Sequence, residues 1–181
     1  MNMNKFFRVV LTASALLIGL TQAAKADIVT WTGDTTGAPT FDRPFVDFSD
    51  LSPNGEGVAY TTHTFTVGSD GDYSLLLSGL GFDTFLLLYQ NSFDPNDQLT
   101  NGVAGSDDLV NVSTSGFESA LTAGTSYVIV VTGFDADAYG QYSITLTGPG
   151  LISAVPEPST WLMLAIGLAA VGYAQRRKTL G

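Results

Sequence analysis

The chain has 181 residues, no cysteine and a formal charge of −10. Its two ends are basic, whereas residues 27–155 hold sixteen acidic side chains against Arg43 alone, a formal charge of −15. The lack of thiols excludes disulfides, zinc–thiolate centres and cysteine nucleophiles, and so negative a field repels nucleic acid and anionic lipid. This middle stretch is long enough for one domain with its own core.

Residues 1–26 have the three parts of a secretory signal peptide. Lys5 and Arg8 belong to a short cationic region, residues 9–20 form an apolar run, and Ala24-Lys25-Ala26 is a small-x-small cleavage site. We therefore expect an N-terminal signal helix that is cleaved after Ala26. The alternative is an anchor helix that is never cleaved.

Between the two ends, short apolar runs recur between clusters of Gly, Asp, Asn and Ser, and no helical period is sustained. In residues 141–147 the apolar side chains alternate with polar ones, which is typical of a half-buried strand. Residues 127–131 are apolar on both faces and predict a central strand. Asp70-Gly71, between two such runs, predicts a hairpin. The predicted strands are 28–32, 40–48, 58–67, 73–80, 84–90, 109–113, 117–121, 127–132 and 141–147.

This pattern predicts an all-β fold, an antiparallel β-sandwich or jelly roll of about eight strands. The order and spacing of its segments over about residues 60–148 resemble the bacterial pre-peptidase C-terminal domain. The resemblance implies a β-sandwich accessory domain that aids secretion or binds extracellular matter, and no protease domain accompanies it here. Residues 28–56 lie outside it and are candidates for edge strands. The segments that carry it are Gly71-Asp72-Tyr73-Ser74-Leu75, Phe82-Asp83-Thr84-Phe85-Leu86-Leu87-Leu88-Tyr89, Asp107-Asp108, Leu121-Thr122-Ala123-Gly124-Thr125-Ser126-Tyr127 and Gly140-Gln141-Tyr142-Ser143-Ile144.

Aspartates in predicted loops are candidate calcium ligands, because calcium takes six to eight oxygen atoms. Asp107 and Asp108 are adjacent, and bringing two carboxylates together is costly without a cation. Asp94 and Asp97 are the other candidates. Asp is also a common turn former, and this remains the alternative at each position. No other cofactor is predicted.

The sequence predicts no catalytic residues. His63 is the only histidine and lies in a predicted strand on the face of Phe65 and Val67, where a structural role is expected. No Gly-x-Ser-x-Gly nucleophile motif is present. A pair of acids that cleaves glycosides needs only the right separation, so a secreted hydrolase with acids on sandwich loops remains the alternative function.

The C-terminal segment reads Val155-Pro156-Glu157-Pro158-Ser159-Thr160, followed by an uncharged apolar run and by Arg176-Arg177-Lys178. The prolines predict extended chain, and residues of about 160–174 predict a single transmembrane helix that is short for a bilayer. The basic tail at 176–178 places the C-terminus in the cytoplasm, which agrees with a signal peptide at the other end.

Residues 155–178 closely resemble the PEP-CTERM sorting signal of Gram-negative bacteria. The resemblance implies recognition by an exosortase, a membrane-embedded processing enzyme, and removal of the helix by processing near Pro156–Pro158. It also implies a host that makes extracellular polysaccharide or biofilm matrix. The alternative is a plain C-terminal anchor that is never processed.

Together these features predict a signal peptide at 1–26, an acidic extracytoplasmic β-sandwich at 27–154 and a sorting and anchor segment at 155–181. We expect a non-catalytic protein of the cell surface or extracellular matrix. It would be anchored in the inner membrane by residues 160–174 and then processed. Its expected partners are an exosortase and either exopolysaccharide or other surface proteins, and not nucleic acid. A third reading is an inert module whose role is to be displayed.

Overall fold

A computed structural model describes residues 26–155, together with Ile166 and Leu168, whose backbone is helical. Residues 1–25, Pro156–Thr160 of the predicted sorting motif and the basic tail lie outside the described residues. Residues 26–155 contain ten β-strands and no α-helix, which confirms the predicted all-β class. The strands are β1 (Asp27–Asp34), β2 (Thr40–Phe41), β3 (Val58–Val67), β4 (Gly71–Gly79), β5 (Thr84–Gln90), β6 (Gly102–Ser106), β7 (Thr114–Leu121), β8 (Ser126–Gly133), β9 (Gln141–Gly148) and β10 (Ile152–Ala154).

The strands form two antiparallel sheets. One sheet has the order β1-β9-β4-β7, and the other has the order β10-β3-β8-β5-β6, with β2 paired to the start of β3. β1 begins at Asp27, the residue predicted to begin the mature chain, and pairs with β9 along its whole length. Residues 28–56, which lie outside the resemblance to the pre-peptidase C-terminal domain, thus supply an edge strand, as expected.

The main hydrophobic core lies between the sheets. Alternation in β4 and β9 directs every second side chain inward, so that Tyr73, Leu75 and Leu77 pack with Ile144 and Leu146. The opposite sheet contributes buried side chains of β3, β5 and β8 to the same cluster. Burying large apolar side chains in this way supplies most of the stabilisation of a domain of this size.

A second apolar cluster covers the outer face of the β3-β8-β5 sheet. Phe85, Leu87 and Tyr89 of β5 point away from the main core and are buried beneath Phe41 and its neighbours. This second layer explains why β5 and β8 are apolar on both faces, as a central strand requires. Both clusters lie within residues 27–155, so this segment carries its own hydrophobic core.

Two of the predicted strands are wrong in extent or existence. Of residues 40–48 only Thr40–Phe41 form a strand, and the rest lies in a loop that packs on the sheet. Residues 109–113 form a loop, in which the Asn111 side chain accepts a hydrogen bond from the Ser113 nitrogen at 2.9 Å. This local bond is an alternative to strand pairing.

Two strands, β6 and β10, were not predicted. β6 reads Gly-Val-Ala-Gly-Ser and has no apolar alternation. Its glycines are required by close packing, because a Cβ on Gly102 would overlap the Phe48 ring. β10 has three residues and is recognisable only from its pairing with β3.

The hairpin predicted at Asp70-Gly71 is also wrong. β3 and β4, which flank it, belong to different sheets, so the connection crosses between the two layers. The Asp70 side chain instead accepts a hydrogen bond from the Ala123 nitrogen at 2.7 Å and ties together two loops that cross between the sheets.

The strand registers divide the loops between two ends of the sandwich. Loops 80–83, 107–113 and 134–140 lie together at one end, because the strand residues that flank them pair with one another. The pairs are Gly79 with Tyr142, Ser78 with Thr114 and Thr84 with Gly133. We call this the Asp83 end. Loops 91–101 and 149–151 lie at the opposite end, which we call the Asp94 end. β10 runs antiparallel to β3 and therefore points toward the Asp83 end.

Candidate functional site

Three carboxylates converge at the Asp83 end. Asp83 immediately precedes β5, and Asp107 and Asp108 immediately follow β6. One oxygen atom from each of the three side chains lies within 4.8 Å of the others. We call this group the acidic cluster.

The acidic cluster is positioned by hydrogen bonds that join the 107–113 loop to the start of β5. The Thr84 nitrogen donates to the Val112 carbonyl at 2.8 Å. The hydroxyl of Ser115 donates to the Thr84 carbonyl at 2.9 Å and lies 2.7 Å from the Thr84 hydroxyl. Since Thr84 and Ser115 are fully buried, these bonds hold the loop in a defined place.

Two oxygen atoms of the acidic cluster lack the partners that burial normally demands. Oδ1 of Asp83 and Oδ1 of Asp107 are inaccessible to solvent and accept no hydrogen bond from the described residues. An unpartnered buried carboxylate oxygen is costly, because it has lost water without a replacement. A cation bound among the three side chains would supply the missing partner.

The electrostatics of the acidic cluster reflect this burial. Burial raises the pKa of the Asp83 carboxyl above its usual range, and the nearby carboxylates of Asp107 and Asp108 raise it further. Burial also raises the pKa of Asp107, with a further contribution from Asp108. Both sites therefore favour either a proton or a metal cation.

Arg43 is the one Lys or Arg of residues 27–155, and its charge acts on Asp83 and Asp107 of the acidic cluster. Its side chain is 1% exposed. Nε and one terminal nitrogen donate to the Phe134 carbonyl at 3.0 and 2.7 Å, and the other donates to the Pro44 carbonyl at 3.2 Å. The guanidinium lies 3.8 Å from the centre of the Phe85 ring.

The charge of Arg43 only partly offsets the acidic cluster. Its field lowers the pKa values of Asp83 and Asp107 against the effect of burial. Its hydrogen bonds go to carbonyl oxygens rather than to carboxylates. Nε and both terminal nitrogens therefore each donate a hydrogen bond to a carbonyl oxygen outside the acidic cluster.

The residues of the acidic cluster suit a hard cation such as calcium. Three carboxylates provide oxygen ligands and up to three negative charges, and calcium accepts ligands at varied angles. Backbone carbonyls or water would complete the six to eight ligands that calcium requires. The buried, unpartnered oxygens of Asp83 and Asp107 fit this assignment.

The structure brings together Asp107 and Asp108 from the predicted calcium ligands and places the other two elsewhere. Asp94 and Asp97 lie in the 91–101 loop, at the far end of β5, whose seven residues span roughly 23 Å. There Asp94 Oδ1 accepts a hydrogen bond from the Asn96 nitrogen at 2.9 Å, and the Asp97 nitrogen donates to the Asp94 carbonyl at 3.0 Å. This is the geometry of an Asp-initiated turn.

Asp83 was not among the predicted ligands. It lies 24 positions before Asp107 in the sequence, in the segment Phe82–Tyr89 that carries part of the resemblance to a known domain. The available signal was a single Asp between a Gly-containing turn and a strongly apolar strand. That signal is common in β proteins and does not by itself indicate a metal.

His63 lies on the inner face of β3, as its alternation with Phe65 and Val67 predicts. Its Nε2 is 2.8 Å from the hydroxyl of Tyr142, and its ring stacks on Trp31 with 5.5 Å between ring centres. Burial lowers the pKa of His63. The imidazole therefore contacts aromatic rings and a phenol, which is the environment of a neutral structural histidine.

A shallow cleft of about 370 Å³ lies on the outer face of the β3-β8-β5 sheet, between β3 and the 91–101 loop. Tyr60 and Phe93 meet edge to face there, with 5.3 Å between ring centres. The other residues that line it are uncharged, and most carry hydroxyl or amide groups. They are Thr62, Thr64, Asn91, Ser92, Pro95 and Val128.

The C-terminal sorting segment begins directly at the edge of the sandwich. β10 ends at Ala154, and the Val155 nitrogen donates to the Thr64 carbonyl at 2.9 Å. Among the described residues no helix has the length and hydrophobicity needed to span a bilayer. The predicted helix at 160–174 lies outside them except for Ile166 and Leu168.

Comparison with known proteins identifies this segment. Residues 154–178 match the family model of the PEP-CTERM protein-sorting motif, which confirms the predicted sorting signal. This motif is recognised by exosortase and is carried by exported proteins that are anchored in the membrane and then processed. No curated protein sequence matches the chain.

Solved structures resemble the chain in fold only. One is the pre-peptidase C-terminal domain of a collagenase from Bacillus anthracis, with 15% identity, a TM-score of 0.41, and coverage of 65% of this chain and 87% of that one. Another is a family 35 carbohydrate-binding module from an environmental isolate, with 19% identity, a TM-score of 0.38, and coverage of 71% and 99%. A third is the mitogen of Yersinia pseudotuberculosis, with 15% identity, a TM-score of 0.37, and coverage of 70% and 96%.

Proposed function

We propose that this protein is a non-catalytic component of the cell surface or extracellular matrix, which an exosortase releases from a membrane anchor. The observation that carries the proposal is the sorting motif that begins at residue 154, where the last strand of the sandwich ends. The signal peptide at 1–26 would export the chain, and residues 160–174 would hold it in the inner membrane with the basic tail inside. Processing near Pro156–Pro158 would then free the acidic sandwich.

The proposed role of the sandwich is to bind matrix polysaccharide. The cleft between Tyr60 and Phe93 supports this role, because aromatic rings stack on sugar rings while hydroxyl and amide groups bond to sugar hydroxyls. The cleft contains no charged side chain. We therefore expect an uncharged polysaccharide rather than an acidic one.

Calcium binding at the acidic cluster is the second part of the proposal. The two buried, unpartnered carboxylate oxygens favour it over a purely turn-forming role for these aspartates. The proposed ligands are Asp83, Asp107 and Asp108. Asp94 and Asp97 are not included, since they form a local turn at the other end of the sandwich.

Export and processing can be tested in the native host. We would express the full chain with and without a functional exosortase gene, fractionate the cells and determine both termini of the product by mass spectrometry. The expected product begins at Asp27, ends near Pro156–Pro158 and leaves the membrane only when the exosortase is present. A product that keeps residues 160–174 in both strains would contradict release.

The binding role can be tested against the hydrolase alternative in one experiment. Residues 27–155 would be incubated with a panel of neutral and acidic polysaccharides, and both retention on the polymer and released sugars would be measured. We expect retention on a neutral polymer that Tyr60→Ala weakens, without released sugar. Release of sugar that is abolished by substituting one Asp or Glu would instead establish the hydrolase.

A further inference from the structure

The side of β3 that faces away from β8 has a gap in its pairing. This side is covered at one end by β2 and at the other end by β10. At the β2 end, the Tyr60 nitrogen donates to the Pro39 carbonyl at 2.9 Å. At the β10 end, the Val155 nitrogen donates to the Thr64 carbonyl at 2.9 Å. Between these two bonds, residues 61–63 have no strand beside them on this side within the described part of the chain.

Thr62 is the residue whose backbone groups face this gap. Successive residues of a strand direct their N–H and C=O groups to opposite sides, and Tyr60 and Thr64 both bond toward the side of β2 and β10. Thr62 lies midway between them and therefore points the same way. Among residues 26–155, neither its nitrogen nor its carbonyl has a backbone partner on that side. An open stretch of sheet edge is a template for one more extended segment.

The continuation of the chain reaches this gap in register. β10 pairs antiparallel with β3, and its last pair places Ala154 opposite Phe65. If the same register continues, the three residues of the Pro-Glu-Pro motif lie opposite the three residues of the gap, and they fill it before β2 is met. The pairs would be Pro156 with His63, Glu157 with Thr62 and Pro158 with Thr61.

In this register the two prolines occupy the positions that need no N–H. Hydrogen-bonded positions of an antiparallel pair alternate with positions that are not bonded to the partner. Because the Val155 nitrogen bonds to β3, the next bonded position is Glu157, whose N–H and C=O would meet those of Thr62. Pro156 and Pro158 would direct their ring nitrogens away from β3, as proline on an edge strand requires. A shift by one residue would instead put a proline opposite Thr62 and lose the donor.

The two faces of the gap also suit the side chains of the motif. Residues that lie opposite each other share a face, so both prolines would lie on the inner face with Thr61 and His63. The His63 ring stacks on Trp31, and both rings are half-buried. Proline rings would therefore cover apolar surface that is still open to solvent. Glu157 would lie on the outer face, beside the hydroxyl group of Thr62.

We propose that Pro156-Glu157-Pro158 docks on the open edge of β3 as a continuation of β10, and that the folded sandwich thereby withholds the sorting motif from its processing enzyme. Backbone groups of the motif that are bonded to Thr62 are not available to an enzyme, so the motif has to leave β3 before it is processed. The docking follows from the strand register alone, whereas the withholding rests on the exosortase processing of the proposed function.

Inserted alanines test the register. One alanine added directly after Val155 moves Pro156 opposite Thr62, where a donor is needed and proline has none. Two alanines restore an N–H at that place, because the second alanine then lies opposite Thr62. Both insertions precede the motif, so its sequence and its distance from the apolar run do not change. Neither insertion alters a residue of the two apolar clusters.

Hydrogen exchange measures the docking in the mature chain of residues 27–181, isotope-labelled for NMR and held in detergent micelles. We expect the Thr62 amide to exchange more slowly, by about fivefold or more, in the wild type and the two-alanine chain than in the one-alanine chain. The His63 amide faces β8 and is the internal control, which should not differ among the chains. Equal exchange of Thr62 in all three chains would overturn the docking, and so would a two-alanine chain that behaves like the one-alanine chain.

Pulse–chase labelling in the native host measures the withholding. The three chains would be expressed as full-length precursors together with the exosortase, and removal of the C-terminal helix would be timed by the change in mass. We expect the one-alanine chain to be processed several-fold faster than the other two, because a larger fraction of it is undocked. Equal rates, or slower processing of the one-alanine chain, would overturn the withholding.

Failure of this inference is distinguishable from failure of the proposed function. If none of the three chains is processed, the proposed release is contradicted and the withholding falls with it, while hydrogen exchange still decides the docking. If all three are processed at one rate, the proposed release stands and the withholding is removed.

Discussion

The guanidinium of Arg43 donates two hydrogen bonds to the carbonyl oxygen of Phe134, at 3.0 and 2.7 Å. The Phe134 ring also lies beside the guanidinium, with 5.0 Å between its centre and the central carbon of Arg43. One residue from the 42–57 loop thereby fixes the start of the 134–140 loop. Because Asp83 and Asp107 lie nearby, the same side chain both supports the second apolar layer and moderates the charge of the acidic cluster.

Replacing Arg43 with methionine should destabilise the domain by about 2–4 kcal/mol. The change leaves the Phe134 carbonyl unpaired and removes the cation from the face of Phe85. Urea unfolding followed by tryptophan fluorescence would measure the loss. Arg43→Lys is the matched control: it keeps the charge but not the paired donors and should lose less. Equal stability of all three proteins would show that the bonds contribute nothing.

Calcium should raise the melting temperature of residues 27–155 by several degrees, because it binds the folded acidic cluster and not the unfolded chain. Asp83→Asn and Asp107→Asn should each remove most of this increase. Differential scanning calorimetry with calcium and with chelator measures it directly.

The matched control for the calcium prediction is the pair Asp94→Asn and Asp97→Asn, which removes the same charge at the opposite end. These variants should keep the calcium-induced increase. Loss of the increase in the control pair, with retention in Asp83→Asn, would place the ion at the wrong end of the sandwich and contradict the assignment.

In chelator, the acidic cluster should make the domain more stable as the pH falls from neutral toward about 4. Burial raises the pKa values of Asp83 and Asp107 in the folded state, so the folded chain binds protons at pH values where the unfolded chain, with a pKa of about 3.9, does not. This stabilisation is complete below the unfolded pKa and is lost as the pH rises through the raised folded values. At each pH, the unfolding free energy of the double variant Asp83→Asn, Asp107→Asn would be subtracted from that of the wild type. This difference isolates the effect of the two carboxyl groups, and a difference that does not change with pH would refute the prediction.

The fold was predictable wherever one strand face is apolar and the other polar. The alternation of Tyr142, Ile144 and Leu146 predicts β9, and the apolar run of β8 predicts a central strand because a second apolar layer covers its outer face. β6 was not predicted, because its small residues are explained by packing: a Cβ on Gly102 would overlap the Phe48 ring. Such a requirement arises from packing between distant segments and leaves no periodic signal.

The acidic cluster was predictable only in part for a related reason. Asp107 and Asp108 are adjacent, so their mutual repulsion is visible in the sequence. Asp83 joins them through the register of β5 and β6, in which Leu86 pairs with Ser106. Asp94 and Asp97 have the same local composition as the proposed ligands, and only the position of their loop distinguishes them.

His63 should make the domain less stable as the pH falls below about 6.5, the usual pKa of an unfolded histidine. Burial between Trp31 and Tyr142 lowers the pKa of His63 in the fold, so the unfolded chain binds the proton first and the folded state loses stability until the lowered folded pKa is reached. His63→Gln can keep a hydrogen bond to the Tyr142 hydroxyl but does not titrate. The unfolding free energy of the wild type relative to His63→Gln should therefore decline from pH 7 toward pH 5. The acidic cluster has the opposite pH dependence but is present in both proteins, so its contribution cancels in this difference. An NMR titration of the His63 ring would give the folded pKa independently. A relative stability that stays constant over this range, or that rises as the pH falls, would mean that the ring is not held neutral by the fold.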